Sequence, residues 1–385
     1  MFFSKRLPLC ILAFIVFLIP RVGLAGFFDR FENMIDPNDG KLDMSDYLAS
    51  ARGFLPVPII ITEPAIGYGF GLAVAYYHKP TEVDPDLHKD MAPPSITVGF
   101  GAKTENGTYM LGAAHRGIWK KDRIRYLGAI AKADVFSTVY TSSSEDSGNG
   151  LEFNLDGALL NQQLQFRIKD SNWWLGTNYL YVSSDNTFQL PDEVPGDFPS
   201  PGKSFDLGAL GIFVEYDSRN TTFTPTMGID AKFEFQSYDD TWGSDFDYRI
   251  WDAFVLHYTP IGDYSSLGLR LEGEGATGDV PYFAYPYVGL RGIPVLRYQG
   301  KEVLTVEAEY LWGLTPRWTL VLFGGVGKTS AIESYNNKGE TVGAGGVGFR
   351  YRLARKMGLQ AGIDIARGPE DTSFYITVGS AWSGR

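Results

Sequence analysis

The stretch "IGYGFGLAVAY", residues 66–76, alternates without a break. Ile66, Tyr68, Phe70, Leu72, Val74 and Tyr76 fall on one side, and Gly67, Gly69, Gly71, Ala73 and Ala75 on the other. A period of two is the spacing of a β-strand, whose successive side chains point to opposite faces. The pattern returns along the chain. In "GIDAKFEFQ" (228–236), Ile229, Ala231, Phe233 and Phe235 oppose Asp230, Lys232, Glu234 and Gln236. In "LGLRLEGE" (267–274), Leu267, Leu269 and Leu271 oppose Arg270, Glu272 and Glu274. Leu304, Val306, Ala308, Tyr310 and Trp312 oppose Thr305, Glu307 and Glu309, and Phe374, Ile376, Val378 and Trp382 form a last apolar row.

A soluble sandwich would also alternate, with its apolar faces meeting in a core. Two features favour a membrane barrel. The opposite face is often glycine, alanine or charge, while aromatics gather near the ends of the apolar rows, as interfacial girdles do. The connections also alternate in length. "KKDR", "KDSN", "TPIGDY", "GLTPR" and "ARKM" are tight, whereas "TSSSEDSGNG", residues 184–204, "QSYDDTWGS", residues 276–300 and "TSAIESYNNKGE" are long. Short turns on the periplasmic side and long loops outside mark a bacterial outer-membrane barrel. One connection, "TEVDPDLHKDMAP", is long on the short-turn side. The runs number about sixteen between residues 54 and 382. The expected fold is all-β, a transmembrane antiparallel barrel in the outer membrane.

Composition agrees. The net charge of −11 argues against nucleic-acid binding, which needs a basic face. After residue 25 no apolar run approaches the roughly 20 residues of a membrane helix. Residues 1–25, "MFFSKRLPLCILAFIVFLIPRVGLA", have the layout of a signal peptide. They hold Cys10, the one cysteine, so no disulfide or cysteine-bound metal is expected beyond them. Residues 26–53 read as a short periplasmic leader, with Ser45 capping a small helix over Asp46–Arg52. Its acidic "DPNDGKLD" fails the EF-hand register, because counting from Asp36 puts Lys41 sixth and Tyr47 twelfth. Residues 54–385 form the barrel. "GAGGVG" (343–348) and "GGVGKTS" (324–330) mimic nucleotide loops, but no helix pattern follows either. Only His78, His88, His115 and His257 could serve a hydrolase, and none forms an obvious catalytic set. Neither enzyme activity nor a cofactor is expected.

Three stretches together resemble the bacterial surface antigen family, the BamA/TamA-type outer-membrane assembly and translocation barrels: "YDSRNTTFTPTMG" (216–228), "GLRGIP" (289–294) and the glycine-rich final strand. The resemblance covers residues 54–382 and implies that the sixth extracellular loop, 277–300, folds into the lumen. It also implies that the loop's arginine, here Arg291, pairs with an acid on the wall. Independently, inward carboxylates left unpaired in a narrow lumen are costly, and a guanidinium can bridge them. Gly289 and Gly292 would free the loop tip and Pro294 would stiffen its return. The sequence departs from the family at the partner. The family's acid lies in a phenylalanine-x-aspartate-x-glycine pattern, and here that stretch is "FGGVG" (323–327), with Gly325 at the aspartate position. The candidate partners become Glu309, Glu307 and Asp364. Typical members also carry periplasmic polypeptide-transport-associated domains, for which the leader is too short.

The first strand contains Pro56 and Pro58, two residues apart, so their missing N–H groups share one edge. If that edge faces the last strand, the closing seam is weak. The expected function is insertion or passage of polypeptide, or of lipid, at that seam. The alternatives are a passive barrel closed by its loop and a lipid-acting enzyme. Expected partners are outer-membrane lipids, lipopolysaccharide and unfolded polypeptide, with the barrel a monomer.

Overall fold

The computed structural model describes residues 34–37, 39–45, 53–63, 66–78, 95–140, 150–188, 204–333 and 338–382. The segment 1–25, the proposed helix Asp46–Arg52 and His88 lie outside the described residues. Sixteen strands run in chain order, beginning with β1 (Gly53–Glu63), β2 (Gly67–Tyr77), β3 (Ile96–Thr104), β4 (Tyr109–Trp119) and β5 (Ile124–Tyr140). Next come β6 (Gly150–Arg167), β7 (Trp173–Phe188), β8 (Ser204–Asp217), β9 (Gly228–Tyr238), β10 (Tyr248–Ile261) and β11 (Ser265–Gly278). The last five are β12 (Glu302–Gly313), β13 (Trp318–Thr329), β14 (Thr341–Ala354), β15 (Leu359–Arg367) and β16 (Thr372–Val378). Each pairs antiparallel with its sequence neighbour in one sixteen-stranded sheet, and β1 and β16 approach each other to complete the barrel. "GAGGVG" lies within β14, as strand.

Alternation decides which face meets lipid. Phe70, Leu111 and Ile212 are 64%, 65% and 61% exposed, values that only a nonpolar solvent makes tolerable for a whole row of large side chains. Their strand neighbours, such as Ala73, Ala209 and Phe213, are buried on the inner face. Strands β5, β6 and β7 have 17, 18 and 16 residues, against roughly 9–11 needed to cross a bilayer. Their far ends therefore stand in water.

The inner face is divided by height. Towards the extracellular side, Leu155, Leu180, Val182, Phe205, Leu207, Tyr238, Tyr248 and Ile250 form an apolar cluster. Loop residues Val280, Tyr282, Phe283, Tyr285, Tyr287 and Leu296 pack into the same cluster. Phe205 stacks on Phe283 at 4.8 Å, and Tyr238 on Tyr248 at 4.1 Å. Burying each such side chain contributes about 1.5–3 kcal/mol, so this packing holds the loop against the wall.

The end of the chain corrects one expectation. Alternation suggested a strand reaching Trp382 with that indole facing lipid. Instead β16 stops at Val378, and Trp382 is buried with Phe254, Leu256 and Tyr258 of β10. Its Nε1 donates to Glu307 Oε2 at 2.8 Å. Inner-face polarity, which local periodicity does not reveal, draws the indole N–H away from the lipid.

Candidate functional site

Between the aromatic cluster and the periplasmic mouth, three arginines meet four carboxylates. Leu290 to Ile293 form a turn in which Ile293 N donates to Leu290 O, and Gly292 takes φ +93°, as a type II turn requires at its third position. That turn presents Arg291. Its Nη1 donates to Asp364 Oδ2 on β15 at 2.9 Å, and its Nη2 donates to Glu307 Oε1 on β12 at 3.0 Å and to Glu309 Oε2 at 2.5 Å. The guanidinium also lies 3.5 Å over the ring of Phe323 on β13. All three candidate acids thus converge on Arg291, and one planar fork serves two strands that the sheet order separates.

Two more arginines complete the group. Arg270 on β11 donates to Glu307 Oε2 at 2.6 Å and lies 3.1 Å from Glu272, and Arg350 on β14 meets Asp364 Oδ1 at 2.6 Å. Thr377 on β16 also donates to Asp364. Neither Arg270 nor Arg350 was singled out from sequence, although both occupy inward positions in the alternation. Gly289 does not take a left-handed conformation, so the freedom assigned to it is not used. Its carbonyl accepts from Arg270 Nη2 at 2.8 Å instead. Gly292 N donates to Tyr375 Oη on β16 at 2.9 Å. The second loop arginine, Arg297, donates to Glu370 between β15 and β16.

Gly325 has a physical explanation. A Cβ there would lie 2.6 Å from Leu290 Cδ2 and 2.7 Å from Val306 O, and one at Gly327 would lie 2.3 Å from Val288. The bare stretch of β13 is the floor on which the loop limb rests. With no room for an acid on β13, the carboxylates stand on β12 and β15.

Pro56 and Pro58 lie in β1, opposite Val74 and Leu72 of β2. No ladder joins β1 to β16 among the described residues, and the stack of Tyr68 on Phe374 at 5.4 Å bridges the two sides on the lipid-facing surface. His78 Nε2 and His115 Nδ1 each lie 2.8 Å from Thr97 Oγ1, near Tyr76, Trp119 and Tyr126. Tyr76 and Trp119 are exposed, so this group belongs to the outward aromatic girdle. His257 lies 3.5 Å from Thr259 Oγ1.

At the periplasmic end, the acidic turn of the leader holds an arginine from the barrel. Asp36 N donates to Lys41 O, and Ile35 bridges Leu42 across the turn. Inside it, Arg317, 1% exposed at its side chain, meets Asp36, Asp39 and Asp43, each at 2.7 Å. Arg355 meets Asp36 at 2.8 Å. Nothing in the sequence pairs residues so far apart. The Arg317 hydrogen bond holds Asp39 below its ordinary 3.8. Burial pushes the Asp43 carboxyl up, but hydrogen bonds from Ser45 and then Arg317 leave it lowered. Depressed carboxylates stabilise docking above their free value, and this contribution is lost as pH falls through their lowered values. Among the described residues the three acids face one another across Arg317, with Lys41, Arg352, Arg355 and the Tyr351 hydroxyl beside them. A fluorophore on Lys41→Cys should therefore keep high anisotropy through the neutral range and lose it only below about 3.8. Loss near neutrality would show that these acids do not hold the leader.

A sixteen-stranded antiparallel barrel with an outward apolar band and a charged inner face defines a transmembrane barrel of the bacterial outer membrane. Among solved structures, the chain is similar to BamA from Haemophilus ducreyi lacking POTRA domains 1-3, with TM-score 0.57 and 11% identity over 86% of this chain and 70% of that one. It is also similar to CdiB from Acinetobacter baumannii (TM-score 0.55, 11% identity, 84% of this chain, 59% of that one). CdiB from Escherichia coli follows (TM-score 0.53, 9% identity, 84% of this chain, 62% of that one). The chain spans less than two thirds of the length of either CdiB structure. At these identities the likeness is one of fold. No family model and no curated protein sequence matches the chain.

Proposed function

We propose that this barrel is of the assembly and translocation type and passes or inserts polypeptide, or lipid, at the seam between β1 and β16. One observation carries the reading. Fifteen neighbouring strand pairs form ladders, whereas β1 and β16 form none among the described residues. Each backbone hydrogen bond not made forgoes about 0.5–1.5 kcal/mol, so separation costs least there. The Tyr68–Phe374 stack, worth about 0.5–1.5 kcal/mol beyond its buried area, is a contact that can be released. The likeness to BamA and CdiB supports the class. In this reading loop 279–300 plugs the lumen, and Arg291 is its anchor.

The second reading is a passive barrel closed by that loop, favoured by the loop's large buried aromatic set. Catalysis has no part in either reading. A disulfide between cysteines placed in β1 and β16 separates the two. Under the seam reading, oxidation in cells should impair the envelope as deletion of the protein does, and a reductant should restore it. An oxidised lock without effect would leave the passive barrel.

A further inference from the structure

Two periplasmic turns on the β4–β7 side hold their backbone in an unfavourable form and display cations. Lys120, Lys121 and Asp122, between β4 and β5, take φ +52°, +57° and +59°, and Lys169, between β6 and β7, takes φ +54°. Left-handed backbone is costly for residues with a side chain, so the surroundings must hold these turns. Asp122 does this for the first. Its buried carboxylate accepts from Arg125 Nε at 2.6 Å, Arg125 Nη2 at 2.7 Å and Arg167 Nη2 at 2.5 Å, and its carbonyl accepts from Arg167 Nε at 2.9 Å. Both guanidiniums lie over the Trp174 ring, at 4.0 and 4.4 Å. Arg167 N donates to Arg123 O at 2.9 Å and Arg123 pairs with Asp170, so the two turns are tied together. With Asp122 and Asp170 engaged in this way, Lys120, Lys121 and Lys169 stand exposed and make no ion pair among the described residues. Elsewhere on this rim Arg219 is matched by Asp217 and Asp230, and Arg317 and Arg355 by acids of the leader. The three lysines are a local positive excess on a chain of net charge −11.

The same strands end in an outward aromatic belt. Trp119 stacks on Tyr126 at 5.8 Å, and Trp173 packs edge-on against Tyr216 at 5.1 Å. Trp119 and Trp173 are exposed, as are Phe166, Ile168 and Leu175 of the same band. Such rings sit at the level of lipid headgroups, and lysines at that level attract anionic lipid. We infer that the turns at 120–123 and 168–172 bind the headgroups of anionic phospholipids in the periplasmic leaflet. The phosphates lie against Lys120, Lys121 and Lys169, and the glycerol backbones against Trp119 and Trp173. A zwitterionic lipid brings its own cation to the lysines and gains less. An acidic soluble protein would match the lysines but not the exposed apolar side chains that continue into the bilayer. The ion pairs of Asp122 fix the first turn before lipid arrives, so less order has to be imposed on binding. This site does not depend on how the seam behaves.

Tryptophan quenching by brominated lipid tests it. The full chain is placed in phosphatidylcholine vesicles holding a minor fraction of brominated phosphatidylglycerol or of brominated phosphatidylcholine. The anionic quencher should act at least about threefold more strongly per mole. That ratio should fall to near one in Lys120→Gln/Lys121→Gln/Lys169→Gln, and the excess quenching should disappear in Trp119→Phe/Trp173→Phe. Lys301→Gln/Lys338→Gln, at exposed positions of the extracellular end, should keep the parent ratio. If the triple variant does not fold, Lys121→Gln alone should lower the ratio part of the way. Equal quenching by the two lipids in the parent would overturn the site and leave the lysines to an acidic periplasmic protein. A ratio that survives the lysine variants, or that falls as far in Lys301→Gln/Lys338→Gln, would overturn it as well.

Discussion

Arg291→Ala is expected to destabilise the folded barrel by about 3–5 kcal/mol, the range for removing one partner of a buried ion pair. The cost comes from what remains. Glu307, Glu309 and Asp364 have side chains no more than 8% exposed, and Arg291 serves all three. Arg270 and Arg350 still reach Glu307 and Asp364, so Glu309 loses most. The pair Arg291→Ala/Glu309→Gln should therefore recover part of the loss, because it removes the most orphaned charge. Arg291→Lys should fall between, keeping charge but not the planar fork that spans β12 and β15. The temperature at which purified protein in detergent loses its folded electrophoretic mobility gives the ranking. Should Arg291→Ala behave like a substitution in the extracellular loop at 338–340, the anchor is wrong.

Gly325→Asp, which would restore the acid of the family pattern, is also expected to destabilise the barrel, by about 1–4 kcal/mol from overpacking and like-charge opposition together. Its Cβ would press on Val306 O at 2.7 Å, a backbone atom that cannot swing aside, and on Glu307 Cβ at 3.1 Å. Overpacking alone costs about 1–3 kcal/mol. The new carboxylate would also face Glu307, its cross-strand neighbour, and like charges directly opposite are destabilising. Gly324→Ala is the control, since a Cβ there meets nothing nearer than Ala344 O at 3.7 Å. The same heat assay should leave Gly324→Ala near the parent. A Gly325→Asp barrel as stable as the parent would mean that the loop does not rest on β13.

Much of the architecture was legible because alternation is local. A strand lipid-facing on one side must repeat every second residue, so "IGYGFGLAVAY" and its relatives reveal strands, their outward faces and, with the turns, their number. The position of Arg291 between β11 and β12 followed from the same count, as did its three candidate acids, all on the polar side of their strands. Family resemblance pointed to an acid on β13, and Gly325 already contradicted it in the sequence.

The leader shows the limit most plainly. Asp36, Asp39 and Asp43 could be read as a failed calcium loop, but not as the enclosure of Arg317. Trp382 likewise continued the apolar row, yet it turns inward to Glu307. The sequence by itself determined the strands and their outward faces, because these depend on neighbours two residues away. The tertiary structure decided which arginine meets which acid, where β16 ends and what the leader holds. Those choices depend on which strands closure brings together, and on how many charges must be satisfied in one narrow space.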